Sequence, residues 1–205
     1  MAAREDVTRL QQVLADIAAV FDAAGIDWAL VGGLAVSVYV PPRFTRDVDV
    51  AVTAADDAEA ERLVFRLQQA GYRVTMALEQ ETAARLATVR VLPANEPPEG
   101  VVVDLMFASS GIEVEICRDA TAIEVFPGLI APVARPGHLV ALKILSSDDV
   151  RRPQDMADVR ALLRTLDAVE MTRAQDAVGQ ITARGYHRGR DLSAGLARLL
   201  ADDVV

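Results

Sequence analysis

Apolar positions recur with two different periods along this chain, and the change of period divides it. Val7, Leu10, Val13, Leu14, Ile17, Val20 and Phe21 fall on one helical stripe, and Gly25 is placed to end the helix. Residues 27–31 read as a short buried strand. It runs into Gly32-Gly33 and a turn or two of apolar helix to about Tyr39, where Pro41-Pro42 blocks continuation. Residues 47–52 alternate, with Asp47 and Asp49 on one side and Val48, Val50 and Val52 on the other. Thr53 is placed to cap a helix over 54–70, with Leu63, Val64 and Leu67 inward and Gly71 as its stop. Strands are expected over 72–76, 85–92 and 101–107, the last two joined as a hairpin by the loop at 93–100. Residues 112–118 favour helix over strand, and 123–126 and 129–133 read as strands around Pro127-Gly128. Beyond Pro136 only helical periods remain, over 138–145, 153–166, 172–183 and 192–200. The expected organisation is an α/β (α+β) domain with a mixed sheet over 1–134, followed by a helical region over 135–205.

Composition narrows the class. A chain of 205 residues buries roughly 70% of its unfolded surface and needs no disulfide or metal staple. Hydrophobic residues at 52% and charged residues at 25% describe a globular protein. No apolar run approaches the ~20 residues that span a bilayer, and the charged beginning of the chain lacks the apolar stretch of a signal peptide. The one cysteine, Cys117, reads as a packing residue and fits a reducing compartment. A cytoplasmic protein without membrane contact is expected.

Charge is unevenly spread. The net charge is −9, and residues 1–142 hold all of the excess, with 11 Arg against 20 acids; residues 143–205 hold 10 cations and 10 acids. That distribution argues against a broad basic face for nonspecific duplex binding, but leaves room for a local basic patch or an acidic cleft neutralised by metal. The chain also has 20 Arg and a single Lys, Lys143. A lone ammonium either marks a site that needs a compact point charge or is a surface residue among many cations.

The chemistry concentrates between Val31 and Val52. Asp47 and Asp49, at i and i+2 of a strand, point to one face, close enough to share a cation. Two like charges so placed need something positive between them, and Mg²⁺ takes carboxylate and phosphate oxygens together. Asp104 interrupts the apolar strand at 101–107 and needs a partner if buried. Three acids on neighbouring strands suit two metal ions and an in-line displacement at phosphorus. Gly32-Gly33, at a strand-to-helix turn, lets backbone N–H groups approach a triphosphate. Each signal alone has a bland alternative, a turn or a solvated strand edge; their order and spacing favour the site.

Gly32-Gly33, then Arg43-Phe-Thr45-Arg46-Asp47-Val-Asp49, then Asp104 on a later strand, resembles the nucleotidyltransferase superfamily with the DNA polymerase β-like palm. More narrowly, the chain resembles the AbiEii-type nucleotidyltransferases, toxins of type IV toxin–antitoxin systems. The narrower resemblance rests on 138–143 with Lys143, and on Arg151-Arg152-Pro-Gln-Asp155-Met-Ala-Asp158, similar to the group's helical Leu-x-x-Lys and Arg-x-Lys-Asp-x-x-Asp signatures. It covers roughly residues 26–166.

The resemblance implies a Mg²⁺-dependent transfer of NMP from an NTP to a hydroxyl. Gly32, Gly33 and Thr45 would lie at the triphosphate, and Asp47, Asp49 and Asp104 would hold two Mg²⁺ ions. Asp104 would also help to accept the hydroxyl proton, and Lys143 would meet β- or γ-phosphate oxygens. Arg152 would sit beside the phosphates or be held by Asp155, with Asp158 a structural partner of its helix. Arg43 or Arg46 would clamp phosphate or orient the Asp pair, and Arg43 is the one that matches the motif. The acceptor would be RNA, a tRNA end or protein, with a cognate antitoxin as a further partner. Three departures stand out: Gly-Gly replaces the superfamily's common Gly-Ser, Gln154 stands where the group often has Lys, and the chain is short for such a toxin.

Two alternatives remain at this stage, a small-molecule acceptor as in antibiotic-modifying relatives and a non-catalytic nucleotide- or partner-binding protein. The stretch from Arg184 through Tyr186, His187 and Arg188 to Arg190 reads either as a grip on single-stranded nucleic acid or as a solvated loop. His138 reads as a local hydrogen-bonding residue.

Overall fold

The computed structural model describes residues 2–80, 85–147 and 153–202. A long first helix, α1 (Ala2–Ala24), leads into β1 (Trp28–Val31), α2 (Gly32–Tyr39), β2 (Val48–Val52) and α3 (Asp57–Gln69). Then come β3 (Tyr72–Gln80), β4 (Arg85–Pro93), β5 (Val103–Met106), α4 (Glu113–Asp119), β6 (Thr121–Phe126) and β7 (Leu129–Val133). Four helices follow: α5 (Pro136–Ser146), α6 (Pro153–Leu163), α7 (Ala168–Ala183) and α8 (Leu192–Asp202). The strands form a seven-stranded mixed sheet in the order β3-β4-β5-β2-β1-β7-β6.

The alternation in β2 explains its central place. Val48, Val50 and Val52 are fully buried while Asp49 is half-buried on the opposite face. Each buried valine contributes about 1.5–3 kcal/mol, which fixes the register and with it the face on which the carboxylate emerges. The stripe of α1 packs against this sheet, with Leu14, Ile17 and Phe21 fully buried and the Phe21 ring 5.3 Å from that of Trp28. Gly25, at φ +63°, ends the helix as its sequence position requires. The hydrophobic core runs on without a break from α1 through the sheet to Leu139, Leu162, Ile181 and Leu196 of the later helices.

The later helices are joined by buried polar groups as well. Arg135 provides no side-chain cap for α5; instead Glu170 of α7 accepts the Gly137 N–H at 3.0 Å and Arg135 Nη2 at 2.6 Å. Burial raises the Glu170 pKa, but the Gly137 amide and Arg135 outweigh it and hold the carboxyl below its usual range. A Cβ at position 137 would lie 2.4 Å from the Glu170 carbonyl oxygen, so glycine is what lets α5 and α7 close.

Several boundaries depart from the sequence reading. Thr53 does not cap the third helix: its hydroxyl donates to the Asp27 carbonyl, and Asp56 caps α3 by accepting from Glu59 N at 2.8 Å. The helix therefore begins at Asp57 rather than 54, because Asp accepts an N3 amide as well as Thr does. Likewise Asp167 caps α7, which starts at Ala168 rather than 172, and β5 is confined to 103–106.

Candidate active site

Strand pairing assembles the acidic residues. β2 runs parallel to β5 with Asp49 directly opposite Asp104, and antiparallel to β1 with Asp49 opposite Val31. Asp47 lies two residues before Asp49 and so on the same face, half-buried. Immediately after Val31 the chain turns at Gly32, where φ is +67° and a Cβ would fall 1.8 Å from Asp49 Oδ2. Only glycine permits that turn to lie on the Asp49 carboxylate.

The same turn opens α2. Val31 offers no side-chain cap, and the N-terminus of a helix is a usual setting for an anion. At Gly33 a Cβ would lie 3.1 Å from both Arg43 Nη2 and Thr45 Oγ1, so the 43–45 loop folds onto the glycine pair. Arg43 then forks onto Asp158 of α6, with Nε and Nη2 donating at 2.8 and 2.7 Å. Asp158 also accepts from Lys143 Nζ of α5 at 2.9 Å, and Lys143 donates to Asp155 at 2.7 Å. Ser146 Oγ donates to the second Asp155 oxygen at 3.1 Å. Burial pushes the Asp158 carboxyl up, but the hydrogen bonds from Arg43 and Lys143 prevail and hold it below its usual range. Arg46 takes no part in this cluster and stacks over the exposed Phe44 ring at 5.3 Å.

A residue missed in the sequence completes the sheet side. Arg90 of β4 stands opposite Asp104 in the ladder, and its Nε and Nη2 each donate to a carboxylate oxygen at 2.7 Å. The guanidinium charge is reinforced first by that hydrogen-bonded pairing, and further by the fields of Asp47 and Asp49. The fork occupies two of about four lone-pair positions on the carboxylate, leaving the others for a second ligand. A cavity of about 110 Å³ lies between the two sides, lined by Gly32, Asp49, Ser109, Lys143, Ser146 and Arg188. A wider cleft of about 490 Å³ lies beyond the 43–45 loop, between α1, α2 and β6, and reaches Arg43 and Thr45 but none of the three carboxylates.

The structure thus brings together Gly32, Gly33, Arg43, Thr45, Asp49, Asp104 and Lys143, with Asp47 on the same face; Arg152 lies outside the described residues. Asp155, expected to hold Arg152, accepts from Lys143 and Ser146. Among the described residues no three His, Cys, Asp or Glu side chains already converge on one cation position. The donors nevertheless fit a hard cation: Asp47, Asp49 and Asp104 offer oxygen alone, from one sheet face, at the foot of an uncapped helix. Among the described residues no helix is long and apolar enough to cross a membrane.

Comparison with known proteins gives the family and the fold. The model of the family described as nucleotidyl transferase AbiEii toxin, type IV TA system, matches residues 12–203. Among curated proteins none matches the chain. The solution structure of the antibiotic-resistance factor ANT(2'')-Ia is similar over 88% of this chain and 97% of that one, at 16% identity and a TM-score of 0.57. Its crystal structure with adenylyl-2''-tobramycin covers 85% of this chain and 98% of that one, at 15% identity and a TM-score of 0.54. An antigenic nucleotidyltransferase-like protein from Paracoccidioides brasiliensis covers 93% of both chains, at 20% identity and a TM-score of 0.53. At these identities the solved structures establish the fold.

Proposed function

Since the chain belongs to the AbiEii nucleotidyltransferase family and is a nucleotidyltransferase, we propose that it transfers NMP from an NTP to a hydroxyl of RNA, a tRNA end or a protein, with pyrophosphate leaving. The observation that carries this reading is the register of Asp49 against Asp104, with the Gly32 turn laid on Asp49. Asp47 and Asp49 would hold Mg²⁺, with Asp104 completing the set through the lone pairs that Arg90 leaves open. When bound, Mg²⁺ neutralises charge on the phosphates and lowers the barrier to attack at phosphorus. The amides of Gly32 and Gly33 and the N-terminus of α2 receive the triphosphate. Asp104 takes the acceptor's proton. Lys143 binds the outer phosphates from the opposite side, held in place by Asp155 and Asp158. Arg43 and Thr45 brace the glycine turn.

The family description supports a toxin that is checked by an antitoxin. A second acceptor class, a small cationic molecule, is favoured by the net charge of −9 and by the 490 Å³ cleft, which has the size of a small-ligand pocket. Incubation with Mg²⁺ and each α-labelled NTP, with and without cell RNA, tests both readings, with Asp47→Asn alongside. Label in RNA or protein that disappears in the variant supports the macromolecular acceptor. Turnover that needs an added aminoglycoside supports the small one. No NTP binding by the wild-type chain rejects the site.

A further inference from the structure

The chain leaves β5 on a turn that forms one wall of the small cavity, where Ser109 and Ser110 line it together with Gly32, Asp49 and Lys143. The sheet holds only the start of that turn. The β4–β5 ladder ends at the pair Thr88–Met106, and the Ala87 carbonyl then accepts the Phe107 and Ala108 amides at 2.9 and 3.3 Å. The next two amides go to a side chain. Ser109 N and Ser110 N donate to Oε1 of Glu113 at 2.9 and 2.7 Å, and the Ser110 hydroxyl donates to the same oxygen at 2.9 Å.

Glu113 is the first residue of α4 and is buried. Burial pushes its carboxyl above the usual range, although the Ser110 and Ser109 donors oppose the shift. Backbone amides bind a carboxylate more strongly than a neutral acceptor, so where strand pairing stops, this acid fixes where the turn stands. The α7–α8 loop adds contacts of another kind. Arg184 donates to the Gly111 carbonyl, Arg188 Nη2 donates to the Ser109 carbonyl at 3.2 Å, and a Cβ on Gly111 would lie 2.6 Å from the Tyr186 ring. Those contacts meet carbonyls and a glycine, while the two serine amides belong to Glu113. Across the cavity, α5 is tied down by Lys143 and Ser146, which both donate to Asp155. In a space of about 110 Å³ the position of one wall decides the fit, and a misplacement of about 1 Å costs roughly 100-fold at a reacting group.

We propose that Glu113 is a positioning residue for nucleotide binding, which sets the Ser109–Ser110 wall against Gly32 and Lys143 by holding the two serine amides. The inference rests on the nucleotidyltransferase site described above and adds a residue from behind the cavity wall.

Equilibrium binding of NTP with Mg²⁺, well below the melting temperature of each variant, tests it in wild type, Glu113→Ala, Glu113→Asp and Glu113→Gln. Glu113→Ala is expected to lose at least tenfold in NTP affinity. Glu113→Asp withdraws the carboxylate by one methylene and should lose as much; it carries the test if the alanine variant does not fold. Glu113→Gln keeps an oxygen within reach of both amides and should stay within threefold of wild type. Glu170→Gln is the control, because it alters a buried acid that joins α5 to α7. It should lower the melting temperature and keep NTP affinity within twofold. Unchanged NTP affinity in Glu113→Ala, or in Glu113→Asp where alanine does not fold, overturns the inference. So does a loss in Glu113→Gln as large as in Glu113→Ala, or an equal loss in Glu170→Gln, which would mark a general effect of lowered stability. If the wild type binds no NTP, the site reading itself fails and this inference with it. If the wild type binds NTP and the Glu113 variants bind it as tightly, only the inference fails.

Discussion

The sheet and the helices packed on it hold their carboxylates by different means. On the sheet, Asp104 takes the fork of one arginine, Arg90, whose side chain is 36% exposed. On the helices, Asp155 and Asp158 close around an ammonium, Lys143, that is 10% exposed, and Arg43 ties that pair back to the glycine turn. The sheet face carries Asp49 opposite Asp104, with Asp47 on the same side, and Arg90 forks onto Asp104. On the helix side Lys143 and Arg43 are matched in charge by Asp155 and Asp158, and these pairs join α5 to α6.

The comparison breaks most visibly through Asp49. Asp49→Asn should cut nucleotidyl transfer by roughly a thousandfold while leaving the circular dichroism spectrum unchanged, since the strand is held by Val48, Val50 and Val52. A comparable loss of folded structure would mean that the acid is structural after all. Lys143→Ala should act in the opposite sense, lowering stability in urea by about 3–5 kcal/mol because two buried carboxylates lose their shared partner. A change below 1 kcal/mol would erase the distinction between the sides.

His138, on the same α5, extends the contrast to pH. Burial, with Arg173 nearby, lowers its pKa from 6.5 to about 4, and its Nδ1 is buried without a hydrogen-bond partner among the described residues. As pH falls below 6.5 the unfolded chain takes up this proton before the folded one does, so stability declines through the window from 6.5 to 4. The expected decline from pH 7.5 to 5 is about 2 kcal/mol, and His138→Gln should flatten it in urea titrations. The smallest effect belongs to Arg90. Arg90→Ala should lower stability by about 1–2 kcal/mol, because the pair is partly solvated. Millimolar Mg²⁺ should recover more stability in that variant than in wild type, as a cation takes the place of the guanidinium; equal Mg²⁺ responses would show that Asp104 is not open to metal.

Much of this was legible in the residue pattern, and the gaps have physical causes. The alternation at 47–52 and the glycine pair are local signals, and the strand, turn and helix follow from them directly. Lys143 stood out as the single lysine, but its partners were not readable, because Asp155 and Asp158 meet it only once α6 folds back on α5. Arg90 was invisible for a related reason. In an alternating strand a cation reads as a solvent-facing residue, and its partner appears only from the hairpin register. Counting inward from the ends of the 93–100 loop would have placed Arg90 within a residue of Asp104. Arg188 was seen as part of a basic cluster, yet nothing local says that it lines a cavity while donating to the Ser109 carbonyl.

The solitary lysine has a practical consequence. Reagents that acylate primary amines find one side-chain target in this protein, and it is closed off by α6 whenever that helix is docked. The rate at which Lys143 acquires an acetyl mass tag therefore becomes a clock for the parting of α5 and α6, without any engineered label. A nucleotide that clasps the two sides together would slow that clock, and the chain's own amine would record its arrival.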